Sequence, residues 1–343
     1  YQRRVREDMK YQDYDFELEK VFNFVGDADF VALQFPEGLM KFSLQISETI
    51  EANTKAHTII FGDVVYGACN FDPCACELMG IQKYIHFGHS QLVNSKMDCL
   101  FVPCRLKLQI TPEIVKLVQD HIDSIQAPLV QLTGTAQTYH LIPTLQAQLR
   151  TATRVKKFRS LGSGEILGCT CAREADVVYS LVDGIFHGEA ALICGVSRVF
   201  QVNLLLGVIR ELKTDVLEKK QQRVQMLKQI NFEERKKILV VFGTLGQQSS
   251  LKTLMRVKNQ LQKLGKEVQV QALQEIFPNK IIGGFDLVVQ IACPRLTFDW
   301  SEDWGGVISL NELENMMDME DTYKLDNFAN EGKGYRDMVG GTL

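Results

Sequence analysis

No apolar stretch in this chain reaches the roughly 18 residues that a membrane span requires, so no spanning helix is expected. A long basic run is missing too: 38 Lys and Arg stand against 42 Asp and Glu, for a formal net charge of −4. That balance lacks the clustered positive charge by which nucleic-acid backbones are held. Several local signatures of common chemistry are also wanting. There is no Gly-Lys-Ser/Thr phosphate loop, no full dinucleotide fingerprint, and no Ser/His/Asp order or paired-carboxylate motif. The opening Tyr1-Gln2-Arg3-Arg4-Val5-Arg6-Glu7 has no apolar core of a secretory signal, although a start at Tyr leaves a trimmed leader open.

What the chain does have is cysteine in unusual places. Nine are spread over 343 residues instead of crowding as in a secreted disulfide scaffold. An odd count at wide spacing points to a reducing compartment, with thiols available for metal or cluster binding. Cys99, Cys104 and Cys194 lie in apolar surroundings and read as small buried hydrophobes. Cys69, Cys169 and Cys293 differ, because each is expected to follow a strand. An apolar run from Leu287 to Ile291 reaches Cys293, and Pro294 cannot continue a ladder. Loops at strand ends are where α/β folds keep their chemistry. The three thiolates are therefore expected to meet around one iron–sulfur cluster. Cys69-x4-Cys74-x-Cys76 leaves a zinc site with a nearby histidine open as an alternative.

Short β-rich runs alternate with helix-length segments along the whole chain. They fall at 29–35, 58–61, 84–87 and 99–102, then 128–132, 165–167, 177–182 and 198–202, then 237–242, 267–270, 286–291 and 306–310. Helices are expected at 136–149, 250–264 and, as a polar connector, 206–230. The lead strands recur about every 100 residues, which is a domain repeat and not a solenoid. The fold class expected is α/β, in three pseudo-repeated modules around a central cluster site, each a short, mostly parallel sheet covered by helices. Their bounds are 15–115, 116–230 with the connector, and 231–317, followed by a polar tail at 318–343. Residues 1–15 read as a charged arm or frayed helix.

Three cysteines leave one iron of such a cluster without a protein ligand and open to substrate, as in an open catalytic zinc site. Gly67 and Gly168 beside the thiols fit close backbone approach to an inorganic core. Gly243-Thr244-Leu245-Gly246-Gln247-Gln248 sits between a strand and a helix and resembles a ligand loop with inward amides. Gln34 and Pro36-Glu37-Gly38 hold the equivalent place in the first module, where Glu37 would either accept a ligand ammonium or charge a helix N-terminus. His86, His89 and His187 end apolar runs and are read as structural more often than catalytic.

Six ordered motifs resemble the diphthamide-synthesis radical enzymes. They are Gln34-Phe35-Pro36-Glu37-Gly38-Leu39, Gly62-Asp63-Val64-Val65-Tyr66-Gly67-Ala68-Cys69, His86-Phe87-Gly88-His89-Ser90, Gly164-Glu165-Ile166-Leu167-Gly168-Cys169-Thr170, Gly243-Thr244-Leu245-Gly246, and the run from Gln290 to Trp300. The resemblance implies a 4Fe-4S cluster on Cys69, Cys169 and Cys293, and S-adenosylmethionine as substrate at the open iron. It also places Gln34, Glu37, Gly38, Gly243, Thr244, Gly246 and Gln248 around that substrate. The reaction it implies is a one-electron cleavage that sends a 3-amino-3-carboxypropyl radical to a histidine of translation elongation factor 2. The implied setting is a cytoplasmic dimer, with itself or with a paralogous second subunit, served by an electron-donor protein. Nucleic acid and membrane are not expected as partners.

Two departures stand out: Gln247 and Ile185 occupy positions where the family usually carries Arg. Two alternatives follow, a quinolinate-synthase-like enzyme and a non-catalytic partner subunit of the same complex.

Overall fold

The computed structural model describes residues 9–63, 67–70, 73–92, 97–158, 161–169, 173–182, 184–245, 249–299 and 306–318. The expected tail therefore lies outside the described residues, apart from residue 318. The fold is α/β, built on several mostly parallel sheets flanked by helices.

The first sheet follows from Val/Ile/Leu/Phe runs that are buried on both faces, as parallel strands under helices must be. In chain order the segment that carries it runs through β1 (Tyr14–Asp15), which with β6 forms a separate two-stranded sheet, α1 (Leu18–Val25), β2 (Phe30–Gln34), α2 (Glu37–Met40), α3 (Ser43–Asn53) and β3 (His57–Phe61). It continues through α4 (Pro73–Met79), β4 (Lys83–Phe87), β5 (Asp98–Val102) and β6 (Arg105–Leu106). The order is β3-β2-β4-β5, all parallel. Val21 and Val25 of α1 and Ile46 and Ile50 of α3 pack with Val31, Leu33, Phe35 and Phe87 in one core. Residues 9–15 are not a frayed arm. Tyr14 and Asp15 pair antiparallel with β6, and Tyr11 stacks on buried Phe16 at 4.7 Å, so aromatic burial outweighs the charged composition of the segment.

The second sheet begins with α5 (Pro112–Ser124), β7 (Leu129–Gly134), α6 (Ile142–Gln148) and β8 (Ala152–Arg154). It adds β9 (Val177–Leu181), α7 (Ile185–Ile193), β10 (Arg198–Asn203) and β11 (Val208–Glu211), in the order β11-β10-β9-β7-β8. Three expectations change here. The helix expected at 136 starts only at Ile142, because Thr138 Oγ1 takes the Thr135 amide in a turn and Pro143 favours a first-turn position. The strand expected at 165–167 is a single bridge from Glu165 to Gly134, since Gly164 at φ +81° turns the chain. The connector helix expected from 206 begins only at Val216. Asn203 Oδ1 caps a turn, Gly207 adopts φ +59°, and β11 intervenes before α8 (Val216–Gln229).

The third sheet contains β12 (Lys237–Gly243), α9 (Leu251–Lys263), β13 (Glu267–Leu273), β14 (Leu287–Ile291), α10 (Leu296–Asp299), β15 (Val307–Ser309) and α11 (Leu310–Asp318). Its order β13-β12-β14-β15 is wholly parallel. Ser250 Oγ caps α9 by accepting the Thr253 amide at 3.2 Å. Strand for strand, this order repeats that of the first sheet. The second sheet has it as well, with β11 added at one edge.

Each sheet therefore reverses its direction of growth between its lead strand and the third strand of the repeat. Ligands of open α/β sheets bind at the carboxyl ends of strands at such a switch point. By contact, the chain divides into two compact units. One is Tyr1–Ile166 with Tyr179–Gly184 and Gln201–Arg210; the other is Leu167–Val178, Ile185–Phe200 and Glu211–Leu343.

Candidate metal and ligand sites in the two units

In the first unit, the switch point lies between the ends of β2 and β4. Gln34 closes β2 and is buried; its Nε2 donates to the Asn70 carbonyl at 3.3 Å and its Oε1 lies 2.6 Å from His86 Nδ1. His86 closes β4 and is also buried, and its Nε2 sits 2.8 Å from His89 Nδ1. Gly88 makes this turn possible. Its φ is +85°, its amide donates to Val102 O at 2.7 Å, and a Cβ there would meet Pro36 Cγ at 2.7 Å. Gln137 Nε2 then holds the Gly88 carbonyl at 2.5 Å and that of Pro103 at 3.0 Å. Burial, and secondarily the His89 charge, holds the His86 pKa well below the usual imidazole value; burial lowers that of His89 to about 4. Both rings are uncharged at neutral pH.

Cys69 lies in a 3₁₀ turn at Ala68–Asn70, half-buried and outside any disulfide. A Cβ at Gly67 would make only ordinary contact with Cys69 Sγ, at 3.8 Å. Glu37 and Gly38 are exposed on α2. Glu165 is fully buried; its Oε2 accepts the Gly162 amide at 2.7 Å, and its Oε1 meets no donor among the described residues. Burial raises its pKa, opposed by the Gly162 amide, the Ser90 hydroxyl, Lys157 and Arg105.

The second unit holds the other two cysteines of the set, each half-buried and outside any disulfide. Their loops meet on one ring. A Cβ at Gly168 would fall inside the Phe186 ring, so that position is glycine to admit the aromatic side chain; the expectation of close approach to an inorganic core is not needed to explain it. The Arg295 guanidinium lies over the same ring, 4.3 Å from its centroid. The ring thus touches the residue before Cys169 and the residue two beyond Cys293.

Arg295 is 3% exposed, and its Nη2 donates to Glu189 Oε2 and Asp299 Oδ1, each at 2.7 Å. Burial would strip its proton, but the two carboxylates outweigh that and raise its pKa. Glu189 also accepts the Thr214 hydroxyl at 2.6 Å. Gln290 Nε2 donates to Cys293 O at 2.9 Å. Two buried atoms beside Cys293, Gln290 Oε1 and Arg295 Nη1, find no partner among the described residues.

Of the expected ligand loop, Gly243 packs so closely that a Cβ would lie 2.5 Å from Ala292 Cβ, and the Thr244 amide donates to Leu273 O at 2.9 Å. Gly246, Gln247 and Gln248 lie outside the described residues. The Gln34 amide is committed to Asn70 and His86. His187 sits in α7 and not at a strand end, and Ile185 opens that helix, 43% exposed. Cys104 is the buried hydrophobe expected, its thiol pushed up by burial, whereas Cys194 is disulfide-bonded and Cys99 half-buried. Among the described residues, no three His, Cys, Asp or Glu side chains gather closely enough to hold a single metal ion.

Asn70, Gln137, Phe186 and Glu189 had no distinguishing signal in the sequence. Arg295 and Glu165 stood inside quoted motifs without an assigned role.

A family model described as "Putative diphthamide synthesis protein" matches residues 35–328. Subunit 1 of 2-(3-amino-3-carboxypropyl)histidine synthase from Nematostella vectensis is 32% identical over 84% of this chain, which spans 64% of that protein's length. The subunit 1 of Homo sapiens is 33% identical, covering 84% of this chain and 68% of its own. The crystal structure of Dph2 from Pyrococcus horikoshii with a 4Fe-4S cluster is similar in fold, with a TM-score of 0.74 at 22% identity over 92% of this chain and 93% of that one.

Proposed function

This chain belongs to the diphthamide synthesis family, and from that premise we propose that it transfers the 3-amino-3-carboxypropyl group of S-adenosylmethionine to a histidine of translation elongation factor 2. It would do so in the cytoplasm as one subunit of a two-subunit complex, with reducing equivalents from an electron-donor protein. The name of its relatives, subunit 1 of a synthase, supports the complex. No described helix is long and apolar enough to cross a membrane.

Cys69, Cys169 and Cys293 would hold a 4Fe-4S cluster. The donor set fits: three half-buried thiols on loops, in contrast to Cys104, which is sealed in the core with its thiol pKa raised. Bound there, the cluster supplies one electron at low potential, enough to cleave a carbon–sulfur bond of a sulfonium. The chain's own residues do the rest. Phe186 fixes the Cys169 and Cys293 loops against one another, and Glu189 and Asp299 hold the Arg295 guanidinium on that ring. The two buried unpartnered atoms match the zwitterionic end of an amino acid, with Gln290 Oε1 for the ammonium and Arg295 Nη1 for the carboxylate. Gln34 acts from behind, through Asn70 and His86, while Glu37, Gly38, Gly243, Thr244, Gly246 and Gln248 remain on loops proposed to line the substrate.

The observation that carries this reading is the packing of two candidate ligand loops on Phe186. The experiment is anaerobic reconstitution of the full chain with iron and sulfide, iron counting, and dithionite reduction with S-adenosylmethionine. A 3-amino-3-carboxypropyl product is expected; 5′-deoxyadenosine in its place overturns the reaction.

A further inference from the structure

The direction of every proton along the Asn70, Gln34, His86, His89 chain is fixed by one backbone atom. A carbonyl oxygen only accepts, so the Asn70 carbonyl must face the amide nitrogen of Gln34, leaving Gln34 Oε1 toward His86 Nδ1. That oxygen accepts in turn, so the proton of neutral His86 sits on Nδ1 and its Nε2 carries a lone pair. His89 Nδ1 must then donate to it, and neutral His89 is left with a lone pair on Nε2. Among the described residues, nothing donates to that nitrogen.

Here the order ends on a half-buried basic nitrogen at a sheet switch point, on a turn clamped by Gly88, Gln137 and Val102. The next residue, Ser90, lies against the Glu165 carboxyl, whose Oε1 is likewise without a donor among the described residues.

We propose that His89 Nε2 takes the proton that leaves the acceptor imidazole carbon, with His86 and Gln34 as positioning residues that hold the ring in the accepting tautomer. The inference rests on the group-transfer reading above. In that reaction the carbon–sulfur bond of the sulfonium breaks, a carbon–carbon bond forms to the acceptor ring, and that ring's carbon–hydrogen bond breaks. The sulfonium departs as a neutral thioether, so its positive charge leaves as the proton. The electron lent for cleavage returns when the ring regains aromaticity, and no outside oxidant is consumed. A weakly basic nitrogen suffices, because the departing hydrogen belongs to a cationic, non-aromatic ring. A stronger base would be protonated before substrate arrived.

The test has two arms. First, side-chain ¹⁵N NMR of histidine-labelled protein, with neither cluster nor acceptor, reads the tautomer directly. It is expected to show His89 protonated on Nδ1 and bare on Nε2, and to show mixed tautomers in Gln34→Leu. A proton on Nε2 in the unsubstituted chain, or an unchanged tautomer in Gln34→Leu, overturns the positioning argument. Second, the complete reconstituted complex is given S-adenosylmethionine and the elongation factor, and donor cleaved is counted against acceptor modified. In His89→Gln, which keeps a hydrogen bond to His86 but cannot take a proton, that ratio is expected to rise about 10²-fold, the usual loss for a missing general base. A ratio equal to that of the unsubstituted complex overturns the role of His89. If the unsubstituted complex cleaves no donor, the group-transfer reading fails and this role fails with it, a result the tautomer arm cannot produce.

Discussion

A Cβ at Gly88 would have to tolerate φ +85° and a contact of 2.7 Å with Pro36, while one at Gly168 would have to displace the Phe186 ring. Gly88→Ala combines backbone strain with overpacking and is expected to destabilise the chain by about 1–3 kcal/mol in urea unfolding. Gly168→Ala has no such strain, and its cost depends on whether Phe186, itself 41% exposed, can swing aside. Its expected signature is a small loss of stability with a larger loss of bound iron after reconstitution. Equal, minor effects on both would count against the ring as the tie between the two loops.

The buried histidine pair makes stability depend on pH in one direction. The His86 and His89 pKa values are lowered in the fold, so the unfolded chain binds more protons between the ordinary imidazole value near 6.5 and the folded value of about 4 for His89. Stability is therefore whole above pH ~6.5 and declines as pH falls toward 4. Denaturation midpoints measured across this range should fall less in His89→Gln than in the unsubstituted chain.

Among the elements, strands were the more legible. Runs such as Ile238-Leu239-Val240-Val241 are apolar throughout because both faces of a parallel strand are covered, and β12 forms there with all four side chains buried. Helix α9 was readable from Ser250 and the apolar spacing of Leu254, Val257 and Leu261, which all reach the core. Replacing the Ser250 hydroxyl, as in Ser250→Ala, removes the cap and is expected to cost about 1 kcal/mol in thermal unfolding. The elements misread were those decided by turns. Gly207 and Asn203 broke a helix-like polar stretch into β11, and a single positive φ at Gly164 reduced an apolar triplet to one bridge. Period alone does not carry such dihedral choices.

Over the molecule as a whole, the recurrence of lead strands in the sequence has its counterpart in one strand order shared by three sheets. Of the three cysteines only Cys293 directly follows a strand, β14; Cys69 sits in a 3₁₀ turn and Cys169 follows a single bridge, and the groups packed around these loops come from residues distant in sequence that could not be read locally. Arg295 takes its partner from Glu189, and Gln34 takes His86 from the neighbouring strand. Buried charge follows the same rule elsewhere. Arg223, 3% exposed, forks onto Glu312, 0% exposed, so α8 and α11 share an ion pair without solvent. Removing one partner strands the other, and Glu312→Ala is expected to cost about 3–5 kcal/mol in chemical denaturation.

The placement of Phe186 between two cysteine-bearing loops has a consequence for damage and repair. Any event that dislodges that aromatic plate loosens both loops together, so alkylating reagents should modify Cys169 and Cys293 in step and not one after the other. Partial, one-sided modification of the pair would be a rare species, and a cluster bound there as proposed would be lost abruptly.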